Sequence, residues 1–206
     1  MRHWILIGTL ALAAPAFAAE ESRDLPPFQS IRSQGAYTLT VTAGQKQSVV
    51  VQADPSILPH IHTQVRGDEL VISMPEYSNH DWVNKIHISI NVARLNVFRM
   101  EGAGDTTLSH MSGPDFSLRY QGVGALRVSG KVGNFSLRAE GLGSINARDL
   151  VAQQVDASLQ GIGAVEVTAT DSLNAKVEGI GALTYYGKPA HVHQSAQGIG
   201  TVQAGD

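Results

Sequence analysis

The chain has 206 residues, 15 Lys+Arg against 18 Asp+Glu for a formal net charge of −3, 21 glycines and no cysteine. Without thiols there can be no disulfide scaffold, cysteine-ligated zinc or iron–sulfur centre, thiol nucleophile or cysteine-linked lipid anchor. The acidic balance leaves no electrostatic footprint for nucleic acid, while a hydrophobic share of 43% is ample for a folded core.

The first segment reads as an export signal. Met1-Arg2-His3 is a short positive head, Trp4 to Ala14 is an apolar run, and Ala16-Phe17-Ala18 after Pro15 is a small-x-small cleavage site. The run is too short for the ~20 apolar residues of a membrane-spanning helix. A signal peptide over 1–18 is therefore expected, cut after Ala18 or one residue later. No later stretch has the length and apolarity to span a membrane, so the mature chain is expected to be exported and soluble, in the periplasm, at the cell surface or secreted.

From about Leu25 to Arg99 the chain is rich in strand patterns. Tyr37 to Val41 alternates apolar and polar residues, Ser48 to Ala53 carries a valine run, and Glu69 to Met74 and Lys85 to Val92 read as further strands. Gly44, Asp54-Pro55, Gly67-Asp68 and Pro75 punctuate them. No linker-like stretch separates this half of the chain from the other. Residues 19–99 are expected to be irregular N-terminal coils of one domain, 19–206, whose regular part spans 100–206.

That regular part is a repeat. Gly-x-Gly occurs six times, as Gly102-Ala103-Gly104, Gly122-Val123-Gly124, Gly141-Leu142-Gly143, Gly161-Ile162-Gly163, Gly179-Ile180-Gly181 and Gly198-Ile199-Gly200. The first glycines are 20, 19, 20, 18 and 19 residues apart. Two, four and six places before the triplets lie mostly apolar residues, such as Tyr120, Leu118 and Phe116 or Val177, Ala175 and Leu173. Two and four places after them the pattern resumes, as at Leu126 and Val128 or Val165 and Val167. Period-two alternation means half-buried strands. A helical repeat would not tolerate paired glycines in every unit. Coils of ~19 residues stacked at about 4.8 Å make an all-β parallel solenoid with Gly-x-Gly corners. Hexapeptide left-handed helices and leucine-rich repeats do not match this period and composition.

Stacking turns equivalent positions into ladders. Two are expected inside: the triplet centres Ala103, Val123, Leu142, Ile162, Ile180 and Ile199, and the set Thr106, Leu126, Ile145, Val165, Leu183 and Val202. The twelve triplet glycines are then corner residues where positive φ or close backbone approach excludes a Cβ. Just before each triplet stand Glu101, Gln121, Glu140, Gln160, Glu178 and Gln197, an alternating ladder in which an amide can bond the carboxylates above and below. Its functional alternative is a row of carboxylates offering contacts to cations or sugars. Arg119, Arg138 and Lys176 share a neighbouring ladder, interrupted by Ser158. The edge of the last coil is expected to be poorly covered, so that a second copy or another component meets it.

Sites with chemistry are sparse. The triplets lack a third glycine at dinucleotide-fingerprint spacing. Asp105 comes after the first triplet as in calcium-binding nonapeptide repeats, but Ala125, Ser144, Ala164, Ala182 and Thr201 come after the others. His60-Ile61-His62 and His191-Val192-His193 could ligate a metal, although exposed strand positions flanking buried Ile61 and Val192 explain them as well. Polysaccharide-cleaving solenoids need clustered acids, whereas Asp105, Asp156, Glu166 and Asp171 are scattered. No catalytic residue, cofactor site or metal set is assigned.

The pattern resembles the bacterial "putative auto-transporter adhesin, head GIN domain" family, a domain of unknown function. The matching residues are Phe28-x-x-Ile31, the strand at Tyr37 to Val41, Val49 to Asp54, Gly67-Asp68-Glu69-Leu70-Val71-Ile72 and the Gly-x-Gly array. The resemblance implies a right-handed parallel β-helix-like solenoid in the cell envelope and supplies no catalytic residues. No C-terminal segment is long enough for a translocator barrel, so autotransport by this chain alone is not expected. The expected function is a non-enzymatic binding, scaffolding or adhesion-type surface for envelope protein, polysaccharide or a second copy. The rival is a carbohydrate-active enzyme, which would show three or more acids from adjacent coils in one cleft; faces of Ser, Thr, Asn and Gln favour the scaffold.

Overall fold

The structure, a computed structural model, describes residues 19–74 and 85–206. The expected signal peptide lies outside the described residues. Among the described residues, thirteen strands join a single sheet that winds into a β-solenoid of about five turns.

The N-terminal strands are β1 (Ala19–Arg23), β2 (Ser30–Gln34), β3 (Thr38–Ala43), β4 (Ser48–Ala53), β5 (His62–Arg66), β6 (Glu69–Ser73), β7 (His87–Val92) and β8 (Val97–Met100). They are only partly the irregular coils anticipated. β2 and β3 form a true coil, parallel to β8 and to the next strand respectively. β1–β4, β4–β7 and β5–β6 instead pair antiparallel. Of these only β5–β6 is a hairpin, closed by the turn Arg66-Gly67-Asp68-Glu69; β1, β4 and β7 are linked by longer stretches of chain that leave their direction free at that end of the sheet. This mixed layer covers one end of the solenoid and buries Phe28, Ile31, Val49, Val51, Leu70, Ile72, Ile88 and Ile90.

The regular array is β9 (Thr106–Tyr120), β10 (Val123–Ala139), β11 (Leu142–Leu159), β12 (Ile162–Tyr186) and β13 (His191–Ala204), each parallel to the one before. Register follows the repeat: Leu126 lies between Thr106 and Ile145, Ile145 pairs with Val165, and Leu183 with Val202. All six are inside, with Val202 partly buried in the last coil. The sets before the triplets are also buried, and Phe116 and Phe135 stack in adjacent coils with ring centroids 5.9 Å apart.

The other expected interior ladder is corrected by the structure. Val123, Leu142, Ile162 and Ile180 stack in register but point outward, 54, 49, 52 and 51% exposed; Ile199, with a neighbouring coil on one side only, is 79% exposed. Inward positions run Leu118, Tyr120, Gly122, Gly124, Leu126, Val128 without a break in alternation, so the centre of the triplet has the outward parity. The glycines themselves fill the inward places at the bend. About half the surface of the four outward aliphatic residues is out of solvent, and the equivalent residue one coil away lies beside each in register, the cross-strand contact a parallel ladder provides.

Candidate functional site

At each corner, backbone meets backbone. The N–H of Val123 donates to the Gly102 carbonyl at 2.9 Å, Leu142 to Gly122 at 2.9 Å, Ile162 to Gly141 at 3.2 Å and Ile180 to Gly161 at 3.1 Å. A Cβ on either glycine of the first five triplets, from Gly102 and Gly104 to Gly179 and Gly181, would fall under 3.0 Å from a carbonyl oxygen of the preceding coil. Gly198 meets the Gly179 oxygen in the same way, at 2.9 Å. Gly200 departs from the rule: the nearest backbone oxygen, of Gly181, is 3.3 Å away, and the atom in the way is a methyl of Val177. The positive φ expected as an alternative cause is found at Gly104, Gly124, Gly143, Gly179 and Gly198 but not at the other triplet glycines, Gly181 and Gly200 among them. Close approach of neighbouring coils, rather than a left-handed backbone, is therefore what the corners share, and it slackens at the last one.

The pile has one more rung than the six triplets. It is Gly35-Ala36-Tyr37, where Ala36 bridges to Ala103 and Ala103 N–H donates to the Gly35 carbonyl at 2.8 Å. Tyr37 replaces the second glycine there, and its buried hydroxyl shares a 2.7 Å hydrogen bond with Ser33 Oγ. Burial pushes the Tyr37 phenol well above the ordinary tyrosine range. The signal for this rung was Gln34-Gly35, which repeats the residue-glycine start of Gln121-Gly122.

The acid–amide ladder exists as pairs. Gln34 Nε2 donates to Glu101 at 2.7 Å, Gln121 to Glu140 at 2.9 Å and Gln160 to Glu178 at 2.7 Å. The partner is the acid of the adjacent coil on one side, so each carboxylate is held by a neutral amide that spaces it from the next carboxylate. Lys176 and Gln160 hydrogen-bond the exposed Glu178 carboxyl and hold it below the usual carboxylate range.

Two residues back along the strands, Arg32, Arg99, Arg119 and Arg138 stand in register. Glu69 takes both of the first two, at 3.2 Å from Arg32 Nε and in a close contact with Arg99. Arg32 also lies 3.8 Å from Glu101. The cationic column thus partly balances the acid ladder.

The scattered acids do not converge. Asp105 sits at the first corner, Glu166 lines a small hollow with Ala125, Ser144 and Asn146, and Asp156 lies on another side. Among the described residues no group of three or more His, Asp or Glu could hold an ion, so neither His-x-His pair is joined by a third such ligand. His60 ends a 3₁₀ turn at Leu58–His60 and only His62 is in a strand, so this pair does not share a strand face; Ile61 is buried as expected. Val192 is 42% exposed rather than buried, because β13 is covered by β12 on one side only.

The principal cavity, about 770 Å³, is an open groove across the last four coils. Two columns of side chains form its rails: Asn134, Gln154, Ser172, His191 and Ser136, Asp156, Asn174, His193, each in register from coil to coil. Phe135, Val155, Leu173 and Val192 alternate between the rails. Asp156 is its only carboxylate. Of the rail residues, sequence reasoning singled out only Asp156, His191 and His193; the signal for the groove was the recurrence of polar types at two outward positions of every repeat.

Known proteins echo this architecture. A "putative adhesin" from Bacteroides fragilis superposes with a TM-score of 0.73 at 23% identity, covering 90% of this chain and 96% of its own. A "putative lipid binding protein" and a "putative adhesin" from Parabacteroides distasonis both give 0.55, at 17% and 18% identity, with 93% and 92% of this chain covered and 98% of each of theirs. No curated protein matches the chain. Among the described residues no helix is long and apolar enough to cross a membrane. The family model described as "putative auto-transporter adhesin, head GIN domain" matches residues 27–189. With the cornered solenoid and that match covering most of its length, the chain belongs to the "putative auto-transporter adhesin, head GIN domain" family.

Proposed function

We propose that the protein is an exported, non-enzymatic binding scaffold of the bacterial cell envelope with an adhesion-type role, presenting the outer faces of its coils to a partner. The observation that carries this reading is the composition of the principal groove. Its rails are hydroxyl, amide and imidazole side chains, and a single acid, Asp156, accompanies them. Glycoside hydrolysis uses a pair of carboxyl groups flanking the bond, and Asp105 and Glu166 sit elsewhere on the solenoid. The family description and the adhesin names of its structural neighbours support the same reading.

The test uses purified chain 19–206 with immobilised envelope polysaccharide fractions, scoring retention and released reducing ends together. Saturable retention without product release is expected. Release of sugar, or no retention on any fraction, overturns the proposal.

A further inference from the structure

Resting on that binding reading, we infer that the groove of the last four coils is a subsite for a linear, uncharged polysaccharide lying along the solenoid axis. Its rails offer one pair of polar side chains per coil, repeating at the strand spacing of about 4.8 Å. A polymer laid along the axis therefore meets a pair of polar side chains at each coil, which hydroxyl-bearing rings can contact in succession. Amide, imidazole and hydroxyl groups both donate and accept, which suits sugar hydroxyls that do the same.

Most of these groups are open to a ligand, Asn134 being the one that donates to an acid, Asp115, at 2.7 Å. Ser136, Gln154, Ser172, His191 and His193 make no side-chain hydrogen bond among the described residues, and Asn174 reaches Asp156 only at 3.5 Å. The exposed Val192 and the flat imidazoles of the last coil add apolar contact for ring faces.

Other ligand chemistries fit less well. No Lys or Arg lines the groove and Asp156 repels anions, which disfavours phosphorylated, sulfated or uronate chains. The backbone of β10 to β12 is hydrogen-bonded on both edges, so a peptide cannot add as a strand within the groove.

The experiment titrates chain 19–206 calorimetrically with neutral hexasaccharides of β-1,4-glucan, β-1,3-glucan, β-1,4-mannan and chitin, with a heparin hexasaccharide as the charged control. At least one neutral chain is expected to bind, more tightly than its disaccharide and than heparin, with shifts of the His191 and His193 imidazole resonances. The double variant Gln154→Ala/Asn174→Ala loses affinity about tenfold, the size of two lost hydrogen bonds, with unchanged Tm because both side chains are exposed. Gln121→Ala, at a corner away from the groove, leaves affinity intact. Failure of every neutral hexasaccharide to bind, preference for heparin, or wild-type affinity in the double variant overturns the inference. Retention on envelope fractions that persists in the double variant ends this assignment while leaving the scaffold reading in place.

Discussion

Gly163→Ala tests the corner most directly. A Cβ built on Gly163 falls well under 3.0 Å from the Gly143 carbonyl oxygen, with the Gly143 carbonyl carbon and nitrogen at 3.0 and 3.2 Å. All three are backbone atoms, so no flexible side chain can yield. The coils must part locally, straining the hydrogen bonds of Ile162 to Gly141 and Ile180 to Gly161, each contributing about 1 kcal/mol. Parting them also begins to uncover Ile145 and Val165, fully buried residues each stabilised by about 1.5–3 kcal/mol. Partial loss of both terms gives about 3–5 kcal/mol, large for a single change, or roughly 10 °C in Tm for a domain of this length. Gly44→Ala is the control: its φ of +78° is left-handed, yet nothing lies within 4 Å of its Cβ, so only the conformational cost of about 1–2 kcal/mol applies. Scanning calorimetry gives the two Tm values, and hydrogen exchange locates lost protection in the coils beside residue 163. A Gly163→Ala loss no larger than that of Gly44→Ala refutes the close-approach explanation.

Leu183→Ala removes a wholly buried side chain and costs about 2–5 kcal/mol, whereas Ile180→Ala, three residues away and half exposed, costs under about 1.5 kcal/mol; urea denaturation of both distinguishes inward from outward parity. The Tyr37 phenol stays protonated well past the ~10 at which free tyrosine ionises. Because its folded value is raised, the linked stability is complete below pH ~10 and declines as pH climbs above that, more weakly in Tyr37→Phe; absorbance titration and alkaline melts follow both. Glu69→Gln leaves Arg32 and Arg99 paired across adjacent strands without their shared counter-charge, costing between the ~1 kcal/mol of exposed and ~3 kcal/mol of buried ion pairs. Added salt should narrow that loss in chemical denaturation.

Stacking, coil length and register were legible because glycine pairs mark every bend and a side-chain period of two survives between them. The parity of the triplet centres was legible too, since Tyr120, Gly122, Gly124 and Leu126 are all even steps apart. Treating Ile162 and Ile180 as interior because they are aliphatic let hydrophobicity override geometry. The Gly35 rung escaped because Tyr37 fills the second glycine's place, and a buried, hydrogen-bonded tyrosine does not look like a corner residue. Strand direction in the N-terminal layer was not legible: β4 alternates identically whether its neighbours run with it or against it. The groove lay beyond a one-dimensional reading, because Asn134 and His191 are 57 positions apart and adjoin only through four stacked coils.

The contrast between ladders bears on the groove. Where stacking itself selects side chains, the columns are regular and their members satisfy one another: Glu with Gln at the corners, aliphatic on aliphatic along the bend. The groove rails behave otherwise. Asn134, Gln154, Ser172 and His191 change identity at each coil; Asn134 bonds its in-register neighbour Asp115 at 2.7 Å, while within the groove the closest approach between rail members is Asn174–Asp156 at 3.5 Å, the outer limit of a hydrogen bond. Exposed, or half-buried in the case of Ser172, these polar side chains add little to the core. A continuous channel with donors and acceptors in both rails is the arrangement that a polymer whose hydroxyls meet successive coils would use.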